Sequence, residues 1–230
     1  MDNLLQLDNI YVSKHHNNIL NGVSLNIPSN QIFGLLGDNG AGKTTLLKSI
    51  LLMNKNFSGS LLYNGKPLSR QVSKDFGALI ESPALYPNLT ARENLMIMVK
   101  LYDLPYVSID ATLVKVGLND TNHKKKVKNF SLGMRQRLGI AMAIIHNPSF
   151  LILDEPTNGL DINGVEEFKE IIARLKKEGM TIMITTHQIT ELSSLFDSFA
   201  ILKKGNVVFS SDNGVSSPEE LRSIYQQYNR

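Results

Sequence analysis

Apolar residues along this chain follow two rhythms. Near the start, Leu5 and Leu7 alternate with polar neighbours, as do Val23, Leu25 and Ile27. Alternation of this kind predicts half-buried strands, paired antiparallel. Ile32-Phe33-Gly34-Leu35-Leu36 and Phe150-Leu151-Ile152-Leu153 have no polar face at all. Such runs predict strands buried on both sides of a parallel sheet. Phe76 to Ile80 and Thr181 to Thr185 add further strands, and Pro28-Ser29-Asn30 turns the chain into the first buried run. Leu61-Leu62-Tyr63 before Asn64-Gly65 predicts a strand ending in a tight turn. Phe199 to Leu202 and Val207 to Phe209, flanking Lys203-Lys204-Gly205-Asn206, predict a hairpin.

The second rhythm is helical. Leu46, Leu47, Ile50 and Leu51 are spaced for one face of a helix, and so are Val165, Phe168, Ile171, Ile172 and Leu175, which Gly179 should end. From Leu89 to Asn147 strand signals vanish, and Leu138, Ala141, Met142 and Ile145 fall at i, i+3, i+4 and i+7. This middle region predicts a helical lobe inserted into a strand-rich core. Ser217-Pro218-Glu219-Glu220 predicts a last helix: a cap, Pro in the first turn and Glu at N3. Alternating strands and helices predict an α/β fold whose ligands bind at the carboxyl edge of the sheet.

Composition narrows the function classes. A length of 230 residues allows one or two compact lobes. The net charge of +3 is too small to argue for a nucleic-acid partner. Lys124-Lys125-Lys126 is a solvated face rather than a binding patch. With no cysteine there is no disulfide framework and no thiol chemistry. No run of about 18 apolar residues is present, so no spanning helix is expected. Met1-Asp2-Asn3 lacks a basic region and an apolar one, so no signal peptide is expected.

One stretch carries specific chemistry. Gly37-Asp38-Asn39-Gly40-Ala41-Gly42-Lys43-Thr44-Thr45 fits G-x-x-x-x-G-K-[ST] between a buried strand and a helix. Glycines let backbone N–H groups converge on phosphate oxygens, which a Cβ would block. Lys43 supplies a point charge for the β and γ phosphates. The Thr44 hydroxyl is a ligand for Mg²⁺, and the positive end of the following helix faces the anion. The chain is thus expected to bind a nucleoside triphosphate. Asp154-Glu155, closing a buried strand at the same sheet edge, suits Asp154 to Mg²⁺ through water and Glu155 to polarising an attacking water. An acid-rich helix start is the other reading of that pair.

Taken together these segments resemble the nucleotide-binding subunit of ABC transporters over nearly the whole chain. The phosphate loop is similar to Walker A, Leu151-Ile152-Leu153-Asp154-Glu155-Pro156-Thr157 to Walker B, Asn158-Gly159-Leu160-Asp161 to the D-loop and Thr185-Thr186-His187 to the H-switch. The resemblance implies that His187 senses the γ-phosphate. Phe130-Ser131-Leu132-Gly133-Met134 stands where the family has L-S-G-G-Q. By resemblance Ser131 and Gly133 bind the γ-phosphate of ATP held by a second copy, while a plain N-cap at Ser131 is compatible with that. Glu81, after Ile80, stands in place of the family's Q-loop Gln. As a carboxylate it can ligate Mg²⁺ and orient water, and it strengthens the need for the metal; an ordinary surface Glu is the alternative. Tyr11, His15 and His16 are the candidates to stack on adenine.

Glu81, the Ser-Leu-Gly-Met signature and Ser82-Pro83-Ala84-Leu85-Tyr86-Pro87-Asn88-Leu89-Thr90 are similar to ATPases of bacitracin-resistance and lantibiotic-immunity exporters. The resemblance implies a P-loop NTPase (RecA-like) core with an N-terminal antiparallel β subdomain and an inserted α-helical subdomain. It implies one ATPase unit over residues 4–226, with its core at about 4–86 and 148–226 and its helical part at about 87–147. It implies ATP and Mg²⁺ as cofactors, a second copy and integral membrane permease subunits as partners, and a place at the cytoplasmic face of the membrane. Two other classes are weighed. A soluble ABC ATPase acting on ribosomes or DNA usually carries two cassettes or a coiled-coil insertion, and this chain has one cassette and no charged heptad run. A nucleotide sensor without turnover would not need Glu155 and His187.

Overall fold

A computed structural model describes residues 3–15, 17–54, 56–118 and 125–228. His16, Lys124, Met1 and Asp2 lie outside the described residues. Strands β1 (Asn3–Lys14) and β2 (Asn17–Pro28) form an antiparallel pair from Leu5 opposite Ile27 to Lys14 opposite Asn17, with register shifts between Leu7 and Tyr11 and between Val12 and Ser13. With β4 (Phe57–Tyr63) and the short β5 (Lys66–Pro67) they make a four-stranded antiparallel sheet in the order β2-β1-β4-β5. Strands β3 (Ile32–Leu36), β6 (Phe76–Leu79), β7 (Phe150–Asp154), β8 (Thr181–Thr186), β9 (Ser198–Lys203) and β10 (Asn206–Ser211) form the second sheet. Its order is β10-β9-β3-β8-β7-β6, parallel except for the β9–β10 hairpin.

The uninterrupted apolar runs now have a reason. Phe33, Leu35, Ile152 and Met183 point to one side, where they join Leu46, Leu47 and Ile50 of helix α1 (Lys43–Ile50) and the inner residues of the antiparallel sheet. Ile32, Leu36, Leu151, Leu153, Ile182 and Ile184 point to the other side and pack under the remaining helices. Both faces are dry, so the period-2 alternation has no polar half to show. On the first side Phe150 meets Phe76 edge-on, with ring centroids 5.2 Å apart. Phe150 is fully buried, so Phe150→Ala should cost about 3–5 kcal/mol, read as a fall in the denaturant midpoint.

Besides the single-turn α2 (Arg70–Ser73), the further α-helices among the described residues are α3 (Ala91–Leu101), α4 (Ser108–Lys115), α5 (Leu132–Ile144), α6 (Ile162–Lys177) and α7 (Pro218–Tyr228). Among the described residues the only pairing between Leu89 and Asn147 is an isolated bridge from Thr90 to Lys126. Helices α3, α4 and α5 pack on one another, and α5 reaches β6. Their ends follow from local chemistry. Thr90 and Glu93 form a reciprocal capping box on α3, a Thr-x-x-Glu signal readable in the sequence. The five apolar residues predicted for α6 are all buried. The helix closes with Gly179 N–H donating to Lys176 and Met180 N–H to Leu175, a Schellman pair. At α7 the Ser217 hydroxyl accepts the Glu220 N–H as expected, but the Glu220 carboxylate accepts from Ser216 rather than from the cap itself. Lys125 and Lys126 are exposed. No helix among the described residues is long and apolar enough to cross a membrane.

Candidate functional site

The phosphate loop joins the carboxyl end of β3 to α1, and its glycines answer two different demands. At Gly37 a Cβ would lie 2.3 Å from the Leu202 carbonyl oxygen, so the loop could not pass β9 with a side chain there. Gly42 is the N-cap of α1 with φ of 110°, in left-handed space closed to most residues. The loop is braced by Ala41 N–H on the Asp38 carbonyl (3.1 Å) and Gly205 N–H on the Ala41 carbonyl (2.9 Å). Lys43 is buried. Its ammonium donates to the Gly37 carbonyl at 2.7 Å and the Asp38 carbonyl at 3.1 Å, and lies 2.9 Å from Glu155 Oε1. Above it is a cleft of about 310 Å³ lined by Ile19, Asn39, Gly40, Gly42, Lys43, Thr44, Thr45 and Glu155.

The parallel register brings the carboxylates to the same place. β7 ends at Asp154, beside Thr185 of β8. Asp154 Oδ1 accepts from the Thr185 hydroxyl (2.6 Å) and Oδ2 from the Thr44 hydroxyl (2.7 Å). Glu155 follows at φ of 48°, a backbone cost of about 1–2 kcal/mol for a non-glycine residue. Its N–H is held by the Thr185 hydroxyl at 3.0 Å. Its Oε2 accepts from the His187 N–H at 3.2 Å and contacts His187 Nδ1 at 2.7 Å. Lys43, Glu155 and His187 thus form one contact chain, and Thr44, Asp154 and Thr185 a second beside it.

Burial pushes the Glu155 pKa up, but Lys43 and then His187 outweigh it and hold the carboxyl below its ordinary value. A lowered native pKa means that the pairing stabilises the fold above the unfolded pKa near 4.5 and loses that contribution as pH falls through the native one. The stability difference between wild type and Glu155→Gln should therefore shrink as pH drops from 7 toward 3, measured by urea denaturation at each pH.

Ser131, Gly133 and Asp161 stand elsewhere. They line a second cleft of about 340 Å³ with Arg137, Gly159 and Glu167. Ser131 caps α5, its hydroxyl accepting the Met134 N–H at 3.2 Å, and Asp161 caps α6 through the Gly164 N–H at 2.7 Å. The structure does not bring them to the phosphate loop of the same chain. Glu81 is also apart from the cleft wall. It is exposed, pairs with Lys48 Nζ at 2.6 Å one turn along α1 from Thr44, and that contact lowers its pKa. Of the adenine candidates, Tyr11 is exposed on β1 with its hydroxyl toward Gly22, and His15 is exposed. Neither lines the cleft; Ile19 does. Nothing in the periodicity of β2 marks Ile19 for that position, and sequence reasoning missed it. It also missed Thr185 as the brace of the Asp154 carboxylate and the Glu155 N–H, although the Thr-Thr-His run after an apolar strand was a visible signal.

No cluster of three or more acidic, His or Cys side chains able to hold a metal occurs among the described residues. The Thr44 hydroxyl and Asp154 carboxylate, in direct contact, are an oxygen-only donor pair. That set fits Mg²⁺, which takes few protein ligands and keeps water and phosphate oxygens for the rest.

The sequence profile of the ABC transporter family matches residues 20–158. The lantibiotic transport ATP-binding protein SrtF of Streptococcus pyogenes is 41% identical over 219 residues, covering 95% of each chain. The bacitracin transport ATP-binding protein BcrA of Bacillus licheniformis is 42% identical over 191 residues, which are 81% of this chain and 62% of that one. CbiO1 from Clostridium perfringens, part of the ABC transporter complex CbiONQ, superposes with a TM-score of 0.85 at 26% identity, covering 99% of this chain and 94% of that one. With a phosphate loop, paired carboxylates and a histidine meeting at one sheet edge, this chain belongs to the ABC transporter family as one of its ATP-binding, ATP-hydrolysing subunits.

Proposed function

We propose that the chain drives export of an antimicrobial peptide, such as a lantibiotic, through separate membrane subunits, and that two copies close on two ATP molecules to do so. The observation that carries the reading is the contact chain of Lys43, Glu155 and His187 at the phosphate loop, with Ser131, Gly133 and Asp161 lining a different cleft. Each copy holds two incomplete halves of a triphosphate site. A second copy related by a two-fold axis completes both at once.

In this reading the loop from Gly37 to Thr45 binds the phosphates with its N–H groups and the N-terminus of α1, and Lys43 offsets the γ charge. Glu155, held ionised by Lys43 and His187 and oriented by His187, accepts the proton of the attacking water. Thr44 and Asp154 hold Mg²⁺, with Glu81 as a further oxygen donor; the metal supplies charge neutralisation at the phosphates. The exposed pairing of Glu81 with Lys48 makes its part smaller, so Glu81→Gln should lower turnover less than Glu155→Gln. Residues 4–226 act as one ATPase unit, with its core at about 4–86 and 148–226 and its helical part at about 87–147.

The substrate class rests on the likeness to SrtF over 95% of both chains. In this reading the chain works with separate permease subunits at the cytoplasmic face of the membrane, supported by its likeness to a transport ATP-binding protein. Nucleic acid has no part in it. Co-expression with its membrane subunits should protect cells against a lantibiotic, and Glu155→Gln should remove that protection. Protection that survives Glu155→Gln overturns the reading.

A further inference from the structure

Asp38 is an awkward residue in a loop built to hold anions. It is exposed at the loop's second position, and its own carbonyl helps to seat the Lys43 ammonium. A carboxylate turned into the cradle would repel the phosphates that Lys43 attracts. Its Oδ1 instead accepts from the Tyr225 hydroxyl at 2.7 Å, across 187 positions of sequence. Asp38 is absent from the wall of the phosphate-loop cleft, as is Tyr225.

Tyr225 is well placed to impose this. It and Leu221, one turn apart on α7, are buried, Leu221 fully. Ser217 caps the start of the helix and Tyr228 at its end packs on Phe209 of β10, with ring centroids 4.7 Å apart. Burial, followed by the hydrogen bond and charge of Asp38, raises the phenol pKa, which keeps the hydroxyl protonated as a donor.

We propose that Tyr225 is a positioning residue for ATP binding: through Asp38 it anchors α7 to the phosphate loop and holds a carboxylate outside the anion cradle. The inference rests on the loop being the ATP site. The C-terminal helix, which carries none of the family's motifs, then becomes a determinant of nucleotide affinity.

The test is a double-mutant cycle on the full chain, with ATP affinity measured by calorimetry and turnover at saturating ATP. Tyr225→Phe keeps the ring and removes the donor. It is expected to weaken ATP roughly three- to tenfold and to leave kcat at saturation within about twofold. The loss should shrink at high salt, because it is Coulombic. In an Asp38→Asn background, where the carboxylate charge is gone, Tyr225→Phe should have little effect on ATP affinity. Thermal melting of each variant accompanies the titrations, and a shared fall in melting temperature without the Asp38 dependence marks a merely structural role. Equal losses in both backgrounds, or none in either, overturn the inference. A wild-type chain that binds no ATP overturns the site reading itself.

Discussion

Glu155→Gln is expected to lower ATP turnover by about 10²–10⁴-fold while leaving ATP affinity near that of the wild type. The amide keeps the shape of the side chain and can still meet His187 and Lys43, so the ground state is spared. It cannot accept the proton of the attacking water, so the loss falls on the transition state. The Gln no longer pairs ionically with Lys43, so the variant still holds ATP but cannot split it. The same variant should therefore accumulate as a dimer with ATP, seen by size exclusion. Undiminished phosphate release would remove Glu155 from the role of base, and an ATP-loaded variant that stays monomeric would contradict the sandwich.

Lys43→Ala is the second large effect, and it acts on binding. The Lys43 side chain is buried and lines the phosphate-loop cleft, and a charge-assisted contact from it to phosphate is worth about 1.5–3 kcal/mol. ATP should bind roughly 10- to 150-fold more weakly. The variant also strips Glu155 of its larger counter-charge, leaving His187 as its remaining side-chain contact. The carboxyl pKa should rise toward its ordinary value or beyond, since burial is then opposed by less. Calorimetric titration with ATP checks the first expectation. Affinity within twofold of wild type would mean that the backbone N–H groups carry the phosphates alone.

The elements themselves were legible in the sequence because each is specified over a few residues. The five apolar residues predicted for α6 are buried. The runs around Phe33 and Phe150 are central parallel strands, and the turns at Asn64-Gly65 and Lys204-Gly205 join paired strands. What periodicity left open was the order of the strands. Thr44 and Asp154 touch across 110 positions only because β3 and β7 flank β8. The partner of Glu81 was beyond sequence reasoning for the same reason: Lys48 lies 33 positions away and meets it only through the packing of α1 on the sheet.

By itself, the sequence determined an α/β chain with a phosphate loop feeding a helix, two adjacent acids closing a buried strand, and a histidine after the next strand. These are local matters of backbone freedom, side-chain period and capping, each settled within a turn or two of chain. Only the tertiary structure decided that Lys43, Glu155 and His187 form one contact chain, that Thr185 braces both acids, that Ser131 and Asp161 face another cleft, and that Tyr225 holds Asp38. Those contacts are made by segments whose separation in sequence says nothing of their separation in space. Their meeting depends on which strands pair and in what register, a property of the packed sheet as a whole.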